Sequence, residues 1–178
     1  MTSIIRFVAF GFFMLVISAT TSAQKEFTGL AADQAKNLQS MPLPSELPIP
    51  VENIQYSNLK DTWRASRSRG RKHEGIDILA PRGTNVYSTT EGLVYSMKHS
   101  VLGGKNVWIL GPGGAFHYYA HLDEHKEDLQ VGDYVNQGDL IGYVGNTGNA
   151  RHTSPHLHYG IYLKGKGSGP VNPFPYLR

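Results

Sequence analysis

The chain has 178 residues, 40% hydrophobic and 17% charged, which suits one globular domain with a core and is too short for two large ones. Its 17 basic and 14 acidic residues leave a net charge of +3, too mild a balance to imply a nucleic-acid partner. Cysteine is absent, which excludes a disulfide framework and a lipidated-cysteine anchor, so the fold must stand on its core or on a metal.

In chain order, Arg6 is the only charge before an apolar run at residues 7–17, and small residues follow at 19–23. This layout predicts a secretory signal peptide over residues 1–23, cleaved after Thr21-Ser22-Ala23. The apolar run is shorter than the roughly 20 residues that span a bilayer, so no stable membrane insertion is expected after cleavage. Residues 24–58 are expected to form a spacer with a short helix: Leu30, Ala31, Ala35 and Leu38 recur at helical spacing after Thr28, a candidate N-cap. Pro42, Pro44, Pro48 and Pro50 then stiffen the backbone toward an extended form.

Between Lys60 and Lys72, Arg64, Arg67, Arg69 and Arg71 form a basic run with Asp61 the only acid inside it. It reads either as a lip for an anionic polymer or as a solvated loop, and it leads into His73. His73 and Asp77 follow at a spacing of four. In a straight strand they would stand about 13 Å apart, too far to share an ion with donor bonds near ~2 Å. The chain must bend between them, and Gly75 permits it. A helical His-Glu-x-x-His site fails here, because the fifth residue is Asp77 and Gly75 beside Ile76 suits a helix poorly.

From residue 75 onward, short apolar runs are punctuated by Gly, Pro and Asn, which predicts an all-β domain over residues 59–178. Strands are expected at 75–79, 85–88, 92–98, 106–110, 116–121, 140–146 and 156–163. The turn at residues 111–114 should join two of them as a hairpin. On the fifth expected strand His117, Tyr119 and His121 alternate on one face, as a polar wall or as part of a site. On the last, His156 and His158 share a face with their Cα atoms about 7 Å apart, within reach of one ion or water. His99 and His125 fall in polar loop-like segments, and His152, four residues before His156, is a candidate for lining a substrate path.

These residues build a resemblance. His73-x-x-x-Asp77, Tyr119-Ala120-His121-Leu122 and Pro155-His156-Leu157-His158 resemble, in order and spacing, the three signatures of the lysostaphin-type (LytM-type) zinc metallopeptidases. This is family twenty-three of the metallopeptidases, relatives of the beta-lytic endopeptidases. The segments around Ile76-Asp77, Val131-Gly132-Asp133 and Gly145-Asn146-Thr147-Gly148 agree with it. The resemblance implies a two-layer sandwich of antiparallel strands, of the duplicated or barrel-sandwich hybrid type. It also implies one Zn²⁺ held by His73, Asp77 and His158, with a fourth position left for water, and catalytic roles for His121 and His156. Three protein ligands with an open position is the pattern of catalytic zinc. The implied substrate is peptidoglycan, in the periplasm or outside the cell.

Two departures touch the substrate pocket rather than the ligands: Tyr159 is followed by Gly160 where many members carry Glu, and residues 149–154 make a longer approach to Pro155. A phosphohistidine carrier of hybrid-motif fold is a rival that export disfavours. A catalytically dead wall-binding activator is another, although here all five site positions are filled.

Overall fold

Alternating apolar side chains decide which face of each strand turns inward, and they do so over most of the molecule. The structure, a computed structural model, describes residues 27–178; the expected signal peptide, residues 1–23, lies outside them. One helix, α1 (Leu30–Ser40), precedes nine strands: β1 (Ile76–Leu79), β2 (Asn85–Tyr87), β3 (Gly92–Ser100), β4 (Gly104–Leu110), β5 (Phe116–His125), β6 (Tyr134–Val135), β7 (Leu140–Val144), β8 (His156–Tyr162) and β9 (Pro170–Val171). The seven expected strands are all present. β6 and β9 were missed because two residues carry no alternation to read.

Every strand pairing is antiparallel. The main path runs β1-β8-β5-β4-β3-β6, with β9 on β8 and with β2 joined to β5 through β7. The two layers of this all-β sandwich are therefore one folded sheet, and β5 is the strand that turns the corner. Its residues Phe116 to Ala120 pair with β8, whereas Leu122 and His125 pair with β7. Ile76, Val107, Ile109, Tyr119, Leu157, Tyr159 and Ile161 from one layer meet Val86, Ile141 and Val144 from the other in the main core.

The outer face of the first layer carries a second cluster. There Ala35 and Leu38 of α1 pack with Leu93, Leu110, Phe116 and Tyr162. The helix starts at Gly29, with φ 56°, rather than at Thr28, and no side chain caps it.

Residues 27–58 do not run as a free spacer. The prolines hold the chain extended, and an extended chain presents main-chain groups to a neighbour. Leu47 N donates to Tyr176 O, Arg178 N to Leu47 O, and Tyr87 N to Pro50 O, while Leu47 and Val51 are both buried.

Leu38 has no solvent exposure, so Leu38→Ala should lower the unfolding free energy by about 2–4 kcal/mol. Urea denaturation measures this, and a change under about 0.5 kcal/mol would make the helix an ornament of the surface.

Candidate metal centre and groove

β8 lies between β1 and β5, and the register is Asp77 opposite His158 and His158 opposite Ala120. Ile76 and Ile78 on β1, and Leu157, Tyr159 and Ile161 on β8, are buried in the main core. Alternation then turns Asp77, His156 and His158 to the outer face.

His73 reaches the same place because the chain bends at Gly75, as expected from the spacing. A Cβ on Gly75 would lie 2.4 Å from Tyr159 O and 2.9 Å from the His158 ring, so only glycine lets the bend pass that close. Backbone bonds from His73 N to Ala65 O and from Arg64 N to His73 O tie the approach down. His73 is 3% exposed.

Three atoms converge. His73 Nε2 is 2.8 Å from His158 Nδ1 and 3.0 Å from Asp77 Oδ1, and His158 Nδ1 is 3.2 Å from Asp77 Oδ1. Ligand atoms at the corners of a zinc tetrahedron with bonds near 2 Å are separated by about 3.3 Å, so this triangle is of the right size and a little tight. His73 Nδ1 donates to Thr62 O over 2.8 Å, which leaves Nε2 as a bare lone pair. The trio is then acceptor-rich, with at most one hydrogen, on His158 Nδ1, to satisfy it. That donor set fits a divalent cation.

Two more imidazoles close the cluster. His156 Nε2 lies 3.9 Å from Asp77 Oδ1, and the His121 ring is 5.0 Å from His156 and 5.9 Å from His158 by ring centroids. His121 arrives by breaking the strand rule. Its φ is 64°, left-handed for a non-glycine residue and costly, and the β4–β5 register slips between Lys105 and Val107. His121 N donates to Gly103 O at 2.8 Å, which fastens the bulge. Without it, His121 would follow Tyr119 into the core. His121 Nδ1 donates to Thr147 O at 2.9 Å and His156 Nδ1 to Ser154 O at 2.8 Å. Both rings therefore carry their acceptor on Nε2.

The cluster lies in a groove of about 860 Å³ lined by the segments leading into β1, by Tyr118, Ala120 and Tyr162, and by the turns at Leu102 and Ala150. Burial acts to raise the Asp77 carboxyl, but the hydrogen bond from His158 and the nearby His73 ring outweigh it and hold it well below the usual carboxylate range. Burial, then the neighbouring His158 and His156, hold the His121 ring down at about 4. Burial also lowers His158, against the opposing pull of Asp77.

Sequence reasoning missed Arg67, whose Nη2 donates to Asp77 Oδ2. A small hairpin, with Arg67 N bonded to Arg71 O and a bridge between Ser66 and Lys72, folds it back over the carboxylate. Only a signal for that turn could have found it. Of the remaining histidines, His99 is exposed on β3, His125 donates through Nε2 to Asn106 O, and His152 is exposed beside Arg151. None of these three lines the groove.

Comparison with known proteins gives one consistent picture. Residues 71–173 match peptidase family M23. The L-Ala–D-Glu endopeptidase of Bacillus subtilis is 36% identical over 139 residues, covering 74% of this chain and 42% of that protein. The catalytic domain of lysostaphin from Staphylococcus simulans superposes with a TM-score of 0.60 at 28% identity, covering 68% of this chain and 93% of that one. A zinc-containing peptidase from Vibrio cholerae does so with a TM-score of 0.53 at 25% identity, covering 72% and 38%. The chain spans less than half the length of the Bacillus relative.

His117 and Tyr119 do not join the groove, contrary to a single face shared with His121. They turn to the opposite side, where His117 Nδ1 meets Tyr159 Oη at 2.8 Å and Thr89 Oγ1 at 3.2 Å. His117 Nε2 is buried with no hydrogen-bond partner among the described residues. Protonation would add a second N–H that nothing can accept, and burial holds this ring at about 4, below its ordinary 6.5. The folded state thus favours the neutral ring. Its stabilising effect is complete above about 6.5 and is lost as pH falls toward 4, by up to about 1.4 kcal/mol per pH unit. The wild-type stability should fall more steeply than that of His117→Gln across this window in urea titrations; parallel curves would show that His117 is protonated without penalty.

Proposed function

Since the chain belongs to peptidase family M23, we propose that it is a zinc endopeptidase that hydrolyses peptide bonds of peptidoglycan, in cross-links or stem peptides. The observation that carries this reading is the meeting of His73, Asp77 and His158 with two further imidazoles whose Nε2 atoms carry lone pairs. The names of its relatives support the substrate class, an endopeptidase acting on L-Ala–D-Glu among them. The sequence of residues 1–23 supports export. Among the described residues no helix is long and apolar enough to cross a membrane.

His73 Nε2, Asp77 Oδ1 and His158 Nδ1 would hold one Zn²⁺, the coordination number of a catalytic rather than a structural site being completed by a free position. When bound, the ion supplies Lewis acidity and lowers the pKa of water toward neutrality. Arg67 keeps Asp77 Oδ2 occupied, so the carboxylate presents one oxygen to the ion. Thr62 O fixes the His73 tautomer, the kind of outer contact that orients metal ligands.

His121 and His156 stand beside the ligands with Nε2 free. One accepts the proton that leaves water as the new C–O bond forms. Once protonated, an imidazole there can also donate to the oxygen that gains charge. The C–N bond then breaks and the proton passes to the departing amine. Burial disfavours the charged His121 ring, so it stands neutral near pH 7 with Nε2 open.

Purified protein should contain about one zinc per chain, and Asp77→Ala and His158→Ala should lose both metal and activity. His121→Ala and His156→Ala should retain zinc while hydrolysis falls by about 10²- to 10⁴-fold. Metal analysis and mass spectrometry of digested peptidoglycan read the two effects separately. Full zinc in Asp77→Ala would overturn the ligand assignment; intact peptidoglycan after exposure to zinc-loaded protein would leave a wall-binding role in its place.

A further inference from the structure

The groove keeps its charge on one wall. Lys60, Arg67, Arg71 and Lys72 line it from the segment that runs into β1. The facing turns contribute Leu102, Gly103, Asn149, Ala150, Thr153 and Ser154, none of them charged. The structure splits the basic run of the sequence: Arg64 and Arg69 do not line the groove, whereas these four cations do.

Their pairing decides what they can do. Arg67 is engaged by Asp77. Lys60, Arg71 and Lys72 have no carboxylate within 4.0 Å among the described residues. Arg71 is held instead by neutral groups, Ser68 O at 3.3 Å and Ser68 Oγ at 3.2 Å, which fixes its direction without cancelling its charge. Glu74 is the one other acid on this wall, a single charge against three. A solvated face would mix its signs, and charges crowded on one side of a concave surface focus the field into it.

An extended peptide in such a groove presents alternate substituents to opposite walls. One edge would meet the cations, and the other would meet Leu102 and Ala150. We propose that Lys60, Arg71 and Lys72 form a carboxylate-recognising subsite, so that the groove selects peptides bearing a free carboxylate beside the scissile bond over their amidated counterparts. This rests on the reading of the groove as a peptidase site, and it adds the chemical feature that the substrate must carry.

The test uses two synthetic peptides that differ only in whether a γ-linked glutamate carries a free α-carboxylate or its carboxamide. Each is made in a cleavable form and as a ketomethylene isostere that cannot be hydrolysed. The zinc-loaded protein should bind the carboxylate isostere about tenfold more tightly at low salt, and the difference should shrink below twofold near ~0.5 M NaCl. Lys60→Gln with Lys72→Gln should cut the preference by about twofold per lysine, and adding Arg71→Gln should remove what is left. Equal affinity for the two isosteres in the wild type, or a preference that survives all three changes, overturns the proposal. Hydrolysis without preference defeats the subsite alone, and preference without hydrolysis defeats the peptidase reading alone.

Discussion

β8 is hydrogen-bonded along both edges, to β1 through Asp77 and His158 and to β5 through His158 and Ala120. Its odd-numbered side chains, Leu157, Tyr159 and Ile161, are wholly buried. A shift of one residue would drive those three out of the core and the two histidines into it. Each of the three apolar side chains stabilises its burial by about 1.5–3 kcal/mol, so the register that assembles the core also fixes where His156 and His158 point. Precision at the groove comes at no separate cost in folding, because the same pairing does both.

His121 is the exception that completes the cluster. Its left-handed backbone opposes the ordinary preference of the chain, and three neighbours restrain it: Gly103 O accepts from its amide, Thr147 O from its ring, and Leu122 from Thr147 Oγ1. A Cβ on Gly103 would lie 1.9 Å from Tyr118 Oη, so any other residue there would have to displace that ring. The β3–β4 turn, the Thr147 segment and the bulge in β5 thus form one unit, and the same bulge lets β5 pass from one layer to the other.

How much of this was legible follows from which parts obey a local period. The strands and the shared face of His156 and His158 were readable because period two is written in the residues themselves. The bend at Gly75 was readable because extended geometry forbids His73 and Asp77 from meeting otherwise. The face of His121 was not, since alternation places it with His117 and Tyr119, and no glycine marks the left-handed position. Arg67 was hidden for a different reason: its role depends on a short hairpin whose residues look like any basic loop. The packing of Leu47 and Val51 was also invisible, because the prolines that signal an extended chain say nothing about what lies alongside it.

Three of the four imidazoles at the groove, His73, His121 and His156, are oriented by main-chain carbonyls, those of Thr62, Thr147 and Ser154. A carbonyl is common to every residue type and cannot be removed by substitution. The orienting contact at Ser154 therefore tolerates sequence drift, and at Thr62 and Thr147 drift is limited by what their hydroxyls do, for Asp77 N at Thr62 and for Lys105 N and Leu122 O at Thr147. Insertions and deletions are another matter, because losing a single residue from one of these loops moves the acceptor away from its ring. Evolution can thus rewrite the letters of the loops around the histidines far more freely than it can change their lengths.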